Sequence, residues 1–133
     1  MLQILDFFLF ATHCAVIGFN LTGWIWKRTR RWHLVSVGLT LFSWLAMGFW
    51  YGLGYCFLTD WHWQIKRALG ETDMPHSFLI YLFNDVMGLR LETDFINNGA
   101  GFSLAVVILL SVALNFRDHR KSRLQRNLPD STQ

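Results

Sequence analysis

The sequence is poor in the residues that mark disordered or disulfide-bonded proteins. Its 133 residues include two prolines and two cysteines, and 16% of them are charged. So few prolines and charges exclude a largely disordered chain, and two cysteines are too few for a disulfide framework. The first basic residue is Lys27, so the N-terminus lacks the positive region of a secretory signal. We therefore expect the first apolar run to be a retained helix.

Hydrophobic residues make up 53% of the chain and aromatic residues 17%. They form three long apolar runs, and about 20 helical residues are enough to cross a hydrocarbon core roughly 30 Å thick. The sequence therefore predicts an all-α integral membrane helical bundle with three full transmembrane helices, over about 2–26, 33–58 and 95–116. These belong to a single transmembrane domain, 1–116, followed by a basic cytoplasmic tail, 117–133.

Basic residues follow the first and the last run. Four lie in the first loop, at Lys27, Arg28, Arg30 and Arg31, and five follow residue 116. Positive residues in short loops favour the cytoplasmic side, which predicts an outside N-terminus and a cytoplasmic C-terminus. Anionic lipid headgroups are the expected partners of both clusters, at about 1 kcal/mol per basic residue. Nucleic acid is not expected, because the aromatic residues do not interleave with the basic ones. We expect the tail to be a short helical extension and then disordered.

The segment between the second and last runs predicts two short helices, at about 60–69 and 77–89. Thr59 suits the N-cap of the first, and Gly70 suits its C-terminal end. The second offers about 20 Å of helix, too little for an ordinary span. We therefore expect an interfacial or re-entrant helical pair, with a four-helix transmembrane bundle as the alternative.

Small residues on two spans predict close helix packing. Gly48 and Gly52 are four apart on the second span, as are Gly99 and Ser103 on the last. This spacing allows backbones to approach. Either these two faces touch, or one of them forms a homo-oligomer.

The motif Cys56-Phe57-Leu58-Thr59, after Gly52 and Gly54, carries a resemblance. With His13 in the first span and Trp32-His33-Leu34 opening the second, the chain resembles a family of small bacterial multi-pass membrane proteins of unknown function. Its motif is Gly-x-x-Cys-(Pro)-Leu-Thr at the end of the second span. Here Phe57 replaces the usual proline, and His62 stands where an acidic residue is common. The resemblance implies a bacterial inner-membrane location and a fold, but no reaction.

Polar residues recur every seven positions in the first span, at Asp6, His13 and Asn20. Seven residues of an α-helix come within about 20° of two full turns, so these three side chains lie on one stripe of the helix. Polar groups in lipid are costly and normally face the bundle interior or a water-filled path. The stripe is either a proton or ion relay centred on His13, or Asp6 reaches water while the other two hydrogen-bond to a neighbouring helix.

A second candidate site is the outer-face motif of Cys56, Thr59, Asp60 and His62. With His76 it offers soft and borderline ligands for zinc or copper, although the spacing matches no tight metal motif. Cys56 is alternatively a nucleophile with His62 as its base. Cys14 and Cys56 are expected to differ by roughly 15 Å in depth, beyond the reach of a disulfide, so both are expected to be free thiols.

Haem is the obvious alternative role for histidines in a membrane bundle. Bis-histidine ligation requires two imidazoles at one depth. We place His13 deep in the first span, His33 at the inner face and His62 outside, so no cofactor is expected.

Three functions remain open. The first is a non-enzymatic accessory or structural partner of a membrane assembly, because no complete catalytic set is present. The second is a small proton-handling or transport unit using Asp6, His13 and Asn20. The third is an outer-face metal or thiol site. No residue is assigned as catalytic, metal-binding or cofactor-binding.

Overall fold

The computed structural model describes residues 1–52 and 54–126, which form helices and no strand. The all-helical class predicted from the sequence is confirmed. The helices are α1 (Leu2–Thr22), α2 (Arg30–Tyr51), α3 (Phe57–Ala68), α4 (Phe78–Ile80, continued by a π-helical turn, Tyr81–Val86) and α5 (Thr93–Arg126). The disorder expected at the end of the tail falls on residues 127–133, outside the described residues.

Within the described part of the chain, three helices are long and apolar enough to cross a membrane: α1, α2 and α5. They contain 21, 22 and 34 residues. The segment from Phe78 to Val86 is much shorter than the roughly 20 residues that a span needs. Three spans with a short helical pair are therefore confirmed for these residues, and the four-helix alternative is not supported.

The helix ends differ from the apolar runs. α1 ends at Thr22, before the predicted 26, and α2 ends at Tyr51, where Gly52 adopts a φ of 93°. α5 continues to Arg126, well past the apolar run that ends near 116. Hydrophobicity marks the part of a helix that lies in lipid, whereas the helix itself continues wherever backbone hydrogen bonds are kept.

The start of α3 corrects the predicted cap. Its N-cap is Cys56, not Thr59: Cys56 is extended, and its Sγ accepts a hydrogen bond from the Thr59 backbone N–H at 3.4 Å. Gly70 closes the helix as expected, with a φ of 95°. The N–H of Glu71 then donates to the Lys66 carbonyl at 3.1 Å. α3 is thus fixed at both ends by local hydrogen bonds.

α3 runs antiparallel to the N-terminal half of α1. Thr59 contacts His13, whereas His62 and Lys66 contact Asp6, so residue numbers rise along α3 as they fall along α1. The side of α3 that faces α1 is largely polar, and Trp61 on the other side is exposed. α3 thus packs against the bundle mainly through polar side chains, with Trp63 as its buried aromatic residue.

The position of α3 overturns the expected depth of Cys56. Its Sγ lies 3.7 Å from Nε2 of His13, in the middle of α1. The estimate that placed Cys56 about 15 Å from the level of Cys14 was therefore wrong, because it assumed that the second span continued to residue 58. Both cysteines are nevertheless free thiols.

The two basic clusters lie at the same end of the bundle. Arg30 forms an ion pair with Asp118, with Nη1 and Oδ2 2.7 Å apart, and its Nε donates to the Trp24 carbonyl at 3.0 Å. The Asn115 amide donates to the Arg30 carbonyl at 3.0 Å. The loop between α1 and α2 is thus tied to the end of α5, as an odd number of spans requires.

α2 and α5 pack through aliphatic side chains, and Gly99 takes no part in the contact. Val37, Leu104 and Val107 form the buried cluster between them. A Cβ on Gly99 would meet nothing within 4 Å, and Gly99 and Ser103 line a cavity of about 420 Å³. The predicted close contact at Gly99 was therefore wrong, since small residues leave space here instead of closing it.

Candidate functional site

The contact between α1 and α3 brings together the ionisable residues of both predicted sites. The Nε2 of His62 donates to Oδ1 of Asp6 at 2.8 Å. Lys66 Nζ lies 3.6 Å from the same oxygen and 3.0 Å from Oε1 of Glu71. His62 is 0% exposed and Lys66 4% exposed. A chain of three charged side chains, Glu71, Lys66 and Asp6, therefore leads to the imidazole of His62 near the N-terminal end of α1.

Deeper in the bundle, His13 meets the start of α3. Its Nε2 lies 3.3 Å from Oγ1 of Thr59 and 3.7 Å from Sγ of Cys56. Phe78 stacks on the His13 ring, with centroids 4.0 Å apart and an interplanar angle of 11°. The rings of His13 and His62 are 5.9 Å apart. His13 is thus held by α3 on one side and α4 on the other.

We call this group the N-terminal cluster: Asp6, His13, Cys56, Thr59, His62, Lys66 and Glu71.

Helical spacing explains why these residues meet. Asp6 and His13 are seven apart on α1, and Thr59, His62 and Lys66 are three, four and seven apart on α3. Both sets lie on one face of their helix, because such separations approximate one or two helical turns. The polar face of α1 therefore packs against the polar face of α3, because lipid offers neither face a polar partner.

The two buried imidazoles of this cluster are incompletely hydrogen-bonded. The Nδ1 atoms of His13 and His62 are buried and have no hydrogen-bond partner among the described residues. A carboxylate only accepts, so Nε2 of His62 carries its hydrogen, and the Nδ1 of the neutral ring is an unused acceptor. Burial lowers the pKa of His62, and the Asp6 carboxylate opposes this only in part. His62 is therefore neutral near pH 7, with a free site for a proton.

Lys66 completes the charge balance of the cluster. Burial of the ammonium group disfavours its charged form, but the hydrogen bond from Lys66 to Glu71 and the nearby Tyr81 and Asp6 outweigh burial and raise the pKa of Lys66. Lys66 therefore stays positive beside Asp6. The Lys66 ammonium group thus lies between two carboxyl groups, those of Asp6 and Glu71.

Asn20 is not part of this cluster. Its side-chain amide donates to Oγ1 of Thr40 at 2.9 Å and accepts from the Ser36 hydroxyl at 2.6 Å. His33 donates from Nε2 to the Asn20 carbonyl at 2.8 Å and bonds to the Ser111 hydroxyl through Nδ1 at 3.0 Å. The predicted stripe on α1 is thus divided between two groups that contact different helices.

We call the second group the central cluster: Asn20, His33, Ser36, Thr40 and Ser111.

Asp60, the remaining predicted site residue, lies apart from both clusters. It accepts hydrogen bonds from the Tyr55 hydroxyl at 2.9 Å and from the Gln64 amide at 2.7 Å. His76 lies beside Tyr55 and Gly52. Residues 1–52 and 54–126 contain no group of three or more His, Cys, Asp or Glu side chains arranged to hold a metal ion. The possible metal set of Cys56, Asp60, His62 and His76 is therefore not assembled.

Six residues of these clusters were not predicted as site residues: Lys66, Glu71, His33, Ser36, Thr40 and Ser111. Lys66 lies four residues after His62, a spacing that places it on the same buried face. His33 was placed at the inner face only, although it is 0% exposed. Ser111 had no signal beyond being a hydroxyl in an apolar run. The assumption that no two histidines share a depth was also wrong, because α3 brings His62 to His13.

The three apolar spans and the polar clusters buried between them define a helical, multi-pass membrane protein. The chain belongs to the family described as "Protein of Unknown function (DUF2784)", which matches residues 3–116. No curated protein and no solved structure matches the chain. Because the family has no assigned function, the role of this protein is argued from its site.

Proposed function

We propose that this protein is a small proton-handling unit of the bacterial inner membrane, with the N-terminal cluster as its proton-accepting site. The observation that carries this proposal is the contact of the buried His62 and Lys66 with the partly exposed Asp6, with His13 next to them. Ionisable side chains are costly at membrane depth and are usually retained for function. A relay in α1 alone has too few such groups, and α3 supplies the missing ones.

Two polar clusters support a path that approaches from both ends of the bundle. The N-terminal cluster includes Glu71 and Asp6, whose side chains are 47% and 26% exposed. The central cluster continues through Asn115 towards Arg30 and Asp118 at the basic end. Between His13 and Asn20 the path is interrupted for seven residues of α1, or about 10 Å. This interruption is a suitable barrier, since an open polar path would leak protons.

Proton movement is tested with the full chain reconstituted in liposomes that contain a pH-sensitive dye. A pH gradient with a compensating potassium conductance should drive a flux in the unmodified protein. His13→Leu should reduce that flux at least about tenfold, because a group that transfers protons contributes on that scale or more. The amount and fold of the reconstituted protein are measured in parallel.

The matched control is Thr12→Val. Thr12 is partly exposed, and its hydroxyl bonds only to the Phe8 carbonyl of its own helix, at 2.8 Å. This change should leave the flux unaltered. A flux that survives His13→Leu, or the absence of any flux from the unmodified protein, rules out the proton-handling role.

We propose the orientation from the charge pattern: N-terminus outside, basic end in the cytoplasm and in contact with anionic headgroups. Bacterial origin and the Gly-x-x-Cys-(Pro)-Leu-Thr motif rest on the resemblance described above. Single cysteines at Arg28 and Arg120, introduced into a chain without Cys14 and Cys56, should both react with an impermeant thiol reagent only from the cytoplasmic side. Labelling of the two positions from opposite sides would contradict three spans.

An accessory role in a membrane assembly is the second candidate, and one observation favours it. The cavity of about 420 Å³ is lined mainly by apolar side chains and by the small residues Gly99, Ala100 and Ser103. A large side chain of a partner helix, or of a second copy of this chain, would fill such a space. Deletion of the gene should then change the composition or abundance of a membrane complex. Unchanged complexes would count against this role.

A further inference from the structure

The surroundings of Cys56 differ from those of an inert buried thiol. Its Sγ lies 3.0 Å from the Thr59 hydroxyl, 3.4 Å from the Thr59 backbone N–H and 3.7 Å from Nε2 of His13. It also occupies the N-cap of the 12-residue helix α3. The N-terminus of a helix favours negative charge, and a thiolate accepts hydrogen bonds from hydroxyl and N–H donors. The hydroxyl and the N–H are both able to donate to a thiolate, the reactive form of the sulfur.

His13 is the one buried histidine in the described residues that is placed to accept a proton from this sulfur. The Nε2 atoms of His33 and His62 face a carbonyl and a carboxylate, which only accept, so both must carry a hydrogen. The Nε2 of His13 faces a thiol and a hydroxyl, which both can donate. His13 is 4% exposed, comes from another helix than Cys56, and has no partner at Nδ1. It is thus an independent group directed at the sulfur.

We infer that Cys56 is a reactive thiol that exchanges with small disulfides and transfers its proton to His13. This inference goes beyond proton handling and does not depend on it. The sequence suggested His62 as the base for Cys56, whereas the geometry selects His13. Cys56 is partly exposed, as access for a small disulfide requires.

The exchange is balanced in atoms and electrons. The Cys56 S–H proton passes to Nε2 of His13, and the sulfur attacks one sulfur of the disulfide. The disulfide S–S bond breaks as a new S–S bond to Cys56 forms. The Cys56 sulfur is oxidised, the leaving sulfur is reduced, and the departing thiolate takes the proton back from His13.

Cys14 is the natural comparison within the chain. It lies next to His13 in sequence but packs against the apolar cluster of Tyr55, Trp63 and Phe78. It is also partly exposed, so access alone does not distinguish the two thiols. If the surroundings of Cys56 activate its sulfur, Cys56 should react much faster than Cys14.

The experiment uses the purified full chain in detergent and the neutral disulfide 4,4′-dithiodipyridine, whose released thione is followed by absorbance. Cys14→Ser leaves only Cys56, and Cys56→Ser leaves only Cys14. Cys56 should react at least about tenfold faster, and His13→Gln in the Cys14→Ser background should remove most of that advantage. Equal or slower reaction of Cys56 overturns the inference.

Further variants separate proton transfer from a loosened fold. Thr12→Val, on the same helix, should leave the Cys56 rate unchanged, and His13→Gln in the Cys56→Ser background should leave the Cys14 rate unchanged. A His13→Gln protein that folds and keeps the full Cys56 rate overturns the role of His13.

If His13→Gln does not fold, Thr59→Val removes the hydroxyl donor at nearly constant volume. An unchanged rate of Cys56 then overturns the activation of the sulfur. Liposome flux takes no part in these measurements, so failure of one proposal does not decide the other.

Discussion

The two polar clusters of this protein bury histidines in different ways. In the central cluster, His33 is 0% exposed and both ring nitrogens are hydrogen-bonded, one to the Asn20 carbonyl and one to the Ser111 hydroxyl. In the N-terminal cluster, His13 and His62 are just as buried, yet each has an Nδ1 without a partner. Burial alone therefore does not separate the histidines of the two clusters, whereas the use of both ring nitrogens does.

The clusters also differ in charge. The central cluster consists of amide, hydroxyl and imidazole groups, which join α1, α2 and α5 by neutral hydrogen bonds. The N-terminal cluster contains Asp6, Lys66 and Glu71 and reaches partly exposed carboxylates. Neutral hydrogen bonds are sufficient to join helices, while buried charges rarely add stability. The charged cluster is therefore the one that calls for a functional explanation.

The largest predicted difference between the clusters is in the free energy of unfolding. His33→Leu should destabilise the protein by about 3 kcal/mol, because it leaves the Asn20 carbonyl and the Ser111 hydroxyl without partners. His13→Leu should cost about 1 kcal/mol or less, since Thr59 keeps its contact with Cys56 and the site is already incompletely bonded. Equilibrium unfolding in mixed micelles measures both values.

Trp32→Ala serves as the control for this pair, because Trp32 lies next to His33 but is largely exposed. It should change stability little compared with His33→Leu. If His13→Leu proves as destabilising as His33→Leu, the distinction between a structural and a functional cluster fails.

A smaller effect is predicted on the pH dependence of stability. The pKa of His62 is lowered in the folded protein, chiefly by burial, from an ordinary value of 6.5. As the pH falls below 6.5, the unfolded chain takes up a proton that the folded protein does not. Stability should therefore be constant above that pH and decrease on acidification by up to about 1.4 kcal/mol per pH unit, until the pH reaches the folded pKa.

His62→Gln should flatten this part of the curve, because glutamine does not titrate and still donates to Asp6. The test is a measurement of the unfolding free energy between pH 7.5 and pH 5 in the same micelles. These two pH values lie about one unit or more on either side of the ordinary histidine pKa. If the His62→Gln protein loses as much stability on acidification as the unmodified protein, another group is responsible for the effect.

The helices were predictable because their signals are local. About 20 apolar residues must cross the membrane as a helix, and the five basic residues after residue 116 mark where the last apolar run stops. The glycine that ends α3 was also predictable, since Gly70 needs a positive φ and follows an amphipathic segment. The start of α3 was not, because Cys56 replaces the hydroxyl or carboxylate that usually caps a helix.

The candidate site was predicted in pieces. Asp6 and His13 were found from their heptad spacing, and Cys56, Thr59 and His62 from the motif after the second span. Treating these as separate sites was wrong, because the sequence does not show that α3 turns back along α1. Asn20 does not join them, since its partners lie on α2, as the reading of a hydrogen bond to a neighbouring helix expected. Lys66 had the right spacing but was not singled out.

The sequence by itself determined that this chain is a membrane protein with three spans. The length of each apolar run and the charges beside it decide whether that segment crosses the bilayer, and neither depends on how the helices pack. Only the tertiary structure decided which polar residues meet. A helix fixes which side chains share its face, but the partner of that face depends on how helices pack, and packing joins residues as far apart as Asp6 and His62. The N-terminal cluster exists because two polar faces had no better partner in lipid than each other.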